Sequence, residues 1–146
     1  MGTSHPEKIL VIEDDPTIAQ SLRVRLESVG FEVHTEDCGK MGLRYATEYE
    51  PHLVILDLKL PDMSGYEVCK QLRKFTHQWA VPILMLTGMD EPIDQLRGFA
   101  HGADAYLTKP YEPAELLKTI KLLIGEMTPS QQSRGGANGG KTVPLD

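Results

Sequence analysis

Four short apolar runs, each about the length of one buried strand and each ending on a residue that can do chemistry, constrain this chain more than anything else in it. The central run, Leu53-Val54-Ile55-Leu56, stops on Asp57 and is followed by Leu58-Lys59-Leu60-Pro61. Lys8 to Glu13 leads into Asp14 and Asp15, Ile83 to Leu86 ends on Thr87, and Tyr106 to Thr108 ends on Lys109. Near-continuous Val, Ile and Leu suit parallel strands covered on both faces. An unpaired carboxylate costs several kcal/mol to bury. An acid delivered by such a strand is therefore either a capped structural group or part of a site.

Helical patterns fill the gaps between these runs. Asp15 is placed as an N-cap with Pro16 at the first helical position, and Ile18, Leu22, Leu26 and Val29 recur at helical spacing before Gly30. Phe31, Val33 and Thr35 alternate with Glu32, His34 and Glu36, the period of a half-exposed strand near a sheet edge. Met41, Leu43 and Ala46, with Tyr49 as a weaker member, mark a second helix that Pro51 breaks. Ser64 and Glu67 form a capping-box pattern for a third helix through about Lys74, with Val68 and Leu72 facing the core. Asp90-Glu91-Pro92 opens a fourth, whose stripe is Ile93, Leu96, Phe99 and Ala100 and whose C′ glycine is Gly102. Pro113 opens the last, with Leu116, Leu117, Ile120, Leu123 and Ile124 before Gly125.

Five strands alternating with five helices predict an α/β doubly wound fold: one parallel sheet, right-handed crossovers and helices on both faces. The predicted domain runs over residues 7–125. Residues 126–146 are rich in Pro, Ser, Gln, Gly and Asn and read as a flexible tail or linker remnant.

A chain of 146 residues holds one domain of ordinary size, and 40% hydrophobic with 25% charged residues is a globular composition. A formal net charge of −6 opposes direct nucleic-acid binding, which rests on cations facing phosphates. No apolar run reaches the roughly 20 residues of a membrane span, Met1 to Pro6 lacks the pattern of a signal peptide, and Cys38 and Cys69 have neither redox-motif nor zinc spacing. The expectation is a cytoplasmic protein with free thiols and no membrane contact.

In an open parallel sheet, ligands bind beyond the carboxyl ends of the strands. Glu13, Asp14 and Asp57 are expected to meet there, and three close carboxylates require a raised pKa or a bound hard cation. Oxygen donors without nearby His or Cys favour Mg²⁺. Helix capping would account for at least one of Asp14 and Asp15. Thr87 and Lys109 at the ends of two further strands add a hydroxyl and a cation, so that metal, phosphoryl oxygens and ammonium complement one another.

Over about Glu7 to Gly125 the sequence resembles the receiver domain of two-component response regulators. The resemblance is carried by Ile9-Leu10-Val11-Ile12-Glu13-Asp14-Asp15, Leu56 to Gly65, Leu86-Thr87-Gly88 and Gly102 to Pro110. It implies a flavodoxin-like receiver fold with strand order 2-1-3-4-5. It implies Asp57 as phosphoacceptor, and Glu13, Asp14, Asp57 and the Lys59 backbone carbonyl around Mg²⁺, with Glu13 acting mostly through water. It also implies Thr87 and Lys109 on the phosphoryl group, Thr87 and Tyr106 as the switch pair, and a cis Lys109-Pro110 bond. The function it implies is acceptance of phosphate from a histidine kinase or phosphotransfer protein, followed by a changed protein contact around the fourth helix, fifth strand and fifth helix. Such a domain assists its own phosphorylation and dephosphorylation but is not otherwise an enzyme.

Other readings are weaker. A haloacid dehalogenase-type hydrolase shares the aspartyl-phosphate chemistry but wants an acid two residues after the nucleophile, where this chain has Lys59. The chain also reads as a receiver piece of a longer regulator or hybrid kinase, whose output domain or partner protein lies elsewhere. A homodimer of the transcription-factor type would use a second acid after Gly102-Ala103-Asp104, where Ala105 stands and lends it no support. Gly135 to Thr142 fits a P-loop formally, but lacks the strand before it and the helix after it. The five histidines are scattered without metal spacing. Lys118 and Lys121 read most simply as a solvated helix face.

Overall fold

A computed structural model describes residues 6–75, 81–88 and 102–125. Its elements in chain order are β1 (Lys8–Ile12), α1 (Pro16–Ser28), β2 (Glu32–Glu36), α2 (Gly39–Tyr49), β3 (Leu53–Asp57), α3 (Gly65–Phe75), β4 (Ile83–Thr87), β5 (Ala105–Thr108) and a C-terminal helix, Pro113–Gly125. The helix expected from Asp90, the loop holding Trp79 and the segment 126–146 with its P-loop match lie outside the described residues. Four of the five expected helices are therefore seen.

All strands are parallel, in the order β2-β1-β3-β4-β5. The chain runs from β1 outward to β2, then returns across β1 to β3, which makes the β1/β3 boundary the point where crossovers part to opposite faces. Side-chain alternation sorts the core into two layers. Ile9, Val11, Ile55 and Leu84 face α1 (Leu22, Leu26) and the C-terminal helix (Leu116, Ile120). Leu10, Ile12, Val54, Leu56, Ile83 and Met85 face α2 (Leu43, Ala46) and α3 (Val68, Cys69, Leu72).

The helix boundaries follow from local chemistry. Asp15 caps α1, its Oδ1 accepting from the N–H groups of Thr17 (2.9 Å) and Ile18 (3.3 Å), with Pro16 in the first turn. Gly30 follows that helix at φ +101°, a conformation that costs glycine little. Ser64 Oγ accepts from Glu67 N at 3.2 Å, half of the expected capping box, while Glu67 turns instead to Gln71. Three expected core positions face out: Val29 is the C-cap of α1 and exposed, and on α2 Met41 and the weaker member Tyr49 are exposed because the helix turns Gly39, Gly42, Leu43 and Ala46 inward. Gly42 packs so closely on the Ile12 side chain that a Cβ there would clash with its Cδ1. Cys69 is fully buried, and burial pushes its thiol up to about 12, the behaviour of a small inert hydrophobe.

At the amino ends of β4 and β5, Arg73 from α3 braces the layers. Its guanidinium donates to the carbonyls of Gly102 (2.6 and 3.0 Å) and Val81 (2.5 Å) and to Asp104 Oδ2 (2.6 Å), which also accepts from Ile83 N. This brace is at the opposite end of the sheet from Asp57.

Candidate functional site

The register of the sheet assembles the site. Ile12 pairs with Leu56, so the next residues out, Glu13 and Asp57, emerge side by side at the carboxyl edge. Asp57 is level with Leu86 of β4, and Thr87 with Thr108 of β5, which places Lys109 one residue beyond that level. Glu13 is further pinned through its backbone, whose N–H donates to the Glu36 carbonyl at 3.0 Å.

Glu13 and Asp57 are the two buried acids among the described residues, at 4% and 8% exposure. Lys109 Nζ stands between them, 2.9 Å from Glu13 Oε1 and 3.5 Å from Asp57 Oδ1. Glu13 Oε2 also accepts from Asp15 N at 3.2 Å. Burial pulls the Lys109 ammonium down, but its hydrogen bond to Glu13 and the charges of Asp57 and Glu13 outweigh this and the net direction is up. Asp57 moves the other way from an ordinary carboxylate: burial first and the Glu13 charge second push it up to about 6, against the pull of Lys109. One cation is too little for two buried carboxylates.

Asp14 supplies the third acid from an exposed position. Oxygens of Glu13, Asp14 and Asp57 lie within 4.8 Å of one another, a set that could hold a metal ion. The donors are all hard oxygens and Asp14 is exposed, so water can complete the coordination, which fits Mg²⁺. Because Asp15 carries the helix cap, Asp14 is free of that duty.

The remaining expected residues fall nearby or behind. Thr87 ends β4. Lys59 is exposed, and its backbone pairs with Ser64 across the loop after β3. Tyr106 lies on β5 beside Met85, partly buried against the α2/α3 layer. The Lys109-Pro110 bond is cis. The sequence reading missed two residues. Tyr111 is half-buried next to the site; burial raises its hydroxyl while Lys109 and Arg25 pull against it. Asp62 binds the first turn of α2 across more than twenty residues; the one signal for it was that Cys38 makes a poor N-cap.

An all-parallel 2-1-3-4-5 sheet with buried acids and a lysine at its carboxyl edge defines a receiver-type α/β protein. Residues 9–121 match the response regulator receiver domain family, and the chain belongs to it. It is 44% identical over 117 residues to the cell cycle response regulator CtrA of Brucella ovis, a match covering 80% of this chain and 50% of that protein. The chain thus spans about half the length of the curated relatives it matches. Its fold is similar to the CheY-like response regulator receiver domain protein of Methanospirillum hungatei JF-1, with a TM-score of 0.80 and 32% identity over 89% of this chain and 99% of that one. It is also similar to the BeF3-activated N-terminal receiver domain of Klebsiella pneumoniae RstA, with a TM-score of 0.75 and 32% identity over 80% and 97% of the two chains. Among the described residues no helix is long and apolar enough to cross a membrane.

Proposed function

We infer that residues 7–125 form a phosphoacceptor domain that takes a phosphoryl group from the phosphohistidine of a histidine kinase or phosphotransfer protein onto Asp57. The observation that carries this reading is the position of Asp57: a buried carboxylate at a strand end, 3.5 Å from Lys109 Nζ and within ligand reach of two further acids. A carboxylate oxygen of Asp57 attacks phosphorus, the new O–P bond forms as the donor's P–N bond breaks, and the electron pair leaves on imidazole nitrogen. Lys109 holds its charge throughout and pairs with the phosphoryl oxygens. Thr87 offers a hydroxyl to the same group.

Glu13, Asp14, Asp57 and the Lys59 carbonyl would hold Mg²⁺, which supplies charge neutralisation at the transferring phosphoryl group. Glu13, already bonded to Lys109 and Asp15 N, orients the ammonium and keeps the acidic pair fixed.

Phosphate on Asp57 draws in Thr87 and lets Tyr106 turn inward, biasing an equilibrium between two forms of the surface that includes β5 and the C-terminal helix. A downstream protein or an attached output domain reads that surface. The domain thereby times its own phosphorylation and dephosphorylation and does not turn over an external substrate. The test is transfer from an isotopically labelled phosphohistidine protein: label should pass to the wild-type chain and not to Asp57→Asn. Equal labelling of both chains would refute the assignment.

A further inference from the structure

The loop between β3 and α3, which carries Lys59, is tied down at three places. Gly65 N donates to the Leu58 carbonyl at 2.6 Å, and Lys59 pairs with Ser64 as an isolated antiparallel bridge. The third tie leaves the loop altogether. Asp62 Oδ1 accepts from Gly39 N and Oδ2 from Lys40 N, both at 2.8 Å, so one carboxylate spans the first turn of α2.

That turn has no local cap. Cys38 occupies the N-cap position and its side chain makes no capping bond to the helix, so the orphan N–H groups of α2 are satisfied from the loop. The contact is close as well as polar: a Cβ on Gly39 would sit 2.6 Å from Met63 Cγ and 2.9 Å from Val68 Cγ2. At the other end, a Cβ on Gly65 would meet the Asp57 carbonyl oxygen at 2.5 Å. Lys59 thus lies on a short loop whose ends are fixed on β3 and by the bridge to Ser64, and whose tip is held against α2 by Asp62 and Met63.

Asp62 is not one of the three clustered acids. Resting on the reading of the site as Mg²⁺-dependent, we propose that Asp62 is a positioning residue for the metal: by anchoring the loop to α2 it fixes the Lys59 backbone carbonyl as a ligand. A cap that served only α2 would affect stability alone. A tie that also orients a ligand carbonyl affects affinity, because ligands must be held within about 0.5 Å of their working geometry and loss of a supporting partner weakens metal binding roughly 10- to 100-fold.

The test is calorimetric Mg²⁺ binding to the full chain at neutral pH, with melting temperature measured on each protein. Asp62→Ala should weaken affinity roughly 10-fold, the low end of that range. Asp62→Asn, which keeps one acceptor oxygen, should fall between it and wild type, and it serves as the readout if the alanine variant does not fold. Ile120→Val, a core change on the other face of the sheet, controls for stability and should keep wild-type affinity. Wild-type affinity in a folded Asp62 variant would overturn the proposal, as would equal weakening in Ile120→Val. Wild-type protein that binds no Mg²⁺ would overturn the functional reading itself and this proposal with it.

Discussion

Replacing Asp57 by Asn should make the metal-free protein more stable near neutral pH, although it abolishes the proposed function. The Asp57 side chain is 10% exposed beside Glu13, and its carboxyl is raised from 3.8 to about 6. The native state therefore holds this proton to higher pH than the unfolded state does. Between those two values each step up in pH lowers stability, and above about 6 the whole penalty stands, about 3 kcal/mol. Asparagine removes the buried charge, and the value of about 6 already contains the pull of Lys109, so the lost 3.5 Å contact is not subtracted again. The gain is about 3 kcal/mol, or roughly 10 °C in melting temperature for a domain of this size. Thermal melts in a chelator, compared at about pH 7.5 and about pH 4, would read it. The advantage of Asp57→Asn should be full at the higher pH, shrink to a small remainder at the lower, where the native carboxyl is protonated and the pH lies close to the unfolded value of 3.8, and narrow when Mg²⁺ is added and stabilises the wild type by binding. A variant no more stable than wild type at about pH 7.5, or an advantage independent of pH, would refute the reasoning.

Lys109→Met leaves Glu13 and Asp57 facing each other without their shared cation, so it should destabilise the metal-free protein by roughly 2–3 kcal/mol in denaturant titrations; an unchanged midpoint would contradict this. Gly65→Ala puts a methyl group against the Asp57 backbone carbonyl, and a loss of roughly 1–3 kcal/mol is expected in the same assay. Lys59→Ala should still accept phosphate but lose it faster, because an exposed cation at the mouth of the site shields the acyl phosphate; equal or slower decay at fixed Mg²⁺ would remove that role. Deleting residues 126–146 should leave the melting temperature unchanged, since the segment has too few apolar residues to offset its ordering entropy; a drop of several degrees would contradict this.

Much of this was legible because strands with an uninterrupted apolar character have one place to go. Once Leu53 to Leu56 and Lys8 to Ile12 are central parallel strands, Asp57 and Glu13 must leave the sheet at the same edge, and the register Ile12 to Leu56 sets them side by side. The cap at Asp15 was readable for a similar reason, since its partners are two and three residues away. What escaped was non-local. Nothing near Asp62 announces a bond to Gly39 and Lys40, and nothing in Met41 says that two glycines will turn inward in its place on α2. The strand order itself came from resemblance, because alternating strands and helices fix handedness and layering but leave several orders open.

The most direct test of the central claim is the intact mass of the protein after incubation with Mg²⁺ and a small phosphodonor. The account predicts addition of one phosphoryl group to the wild type, its absence without Mg²⁺ or in Asp57→Asn, and its removal by hydroxylamine, which cleaves acyl phosphates. A phosphoryl adduct that persists in Asp57→Asn, or one that survives hydroxylamine, would contradict it.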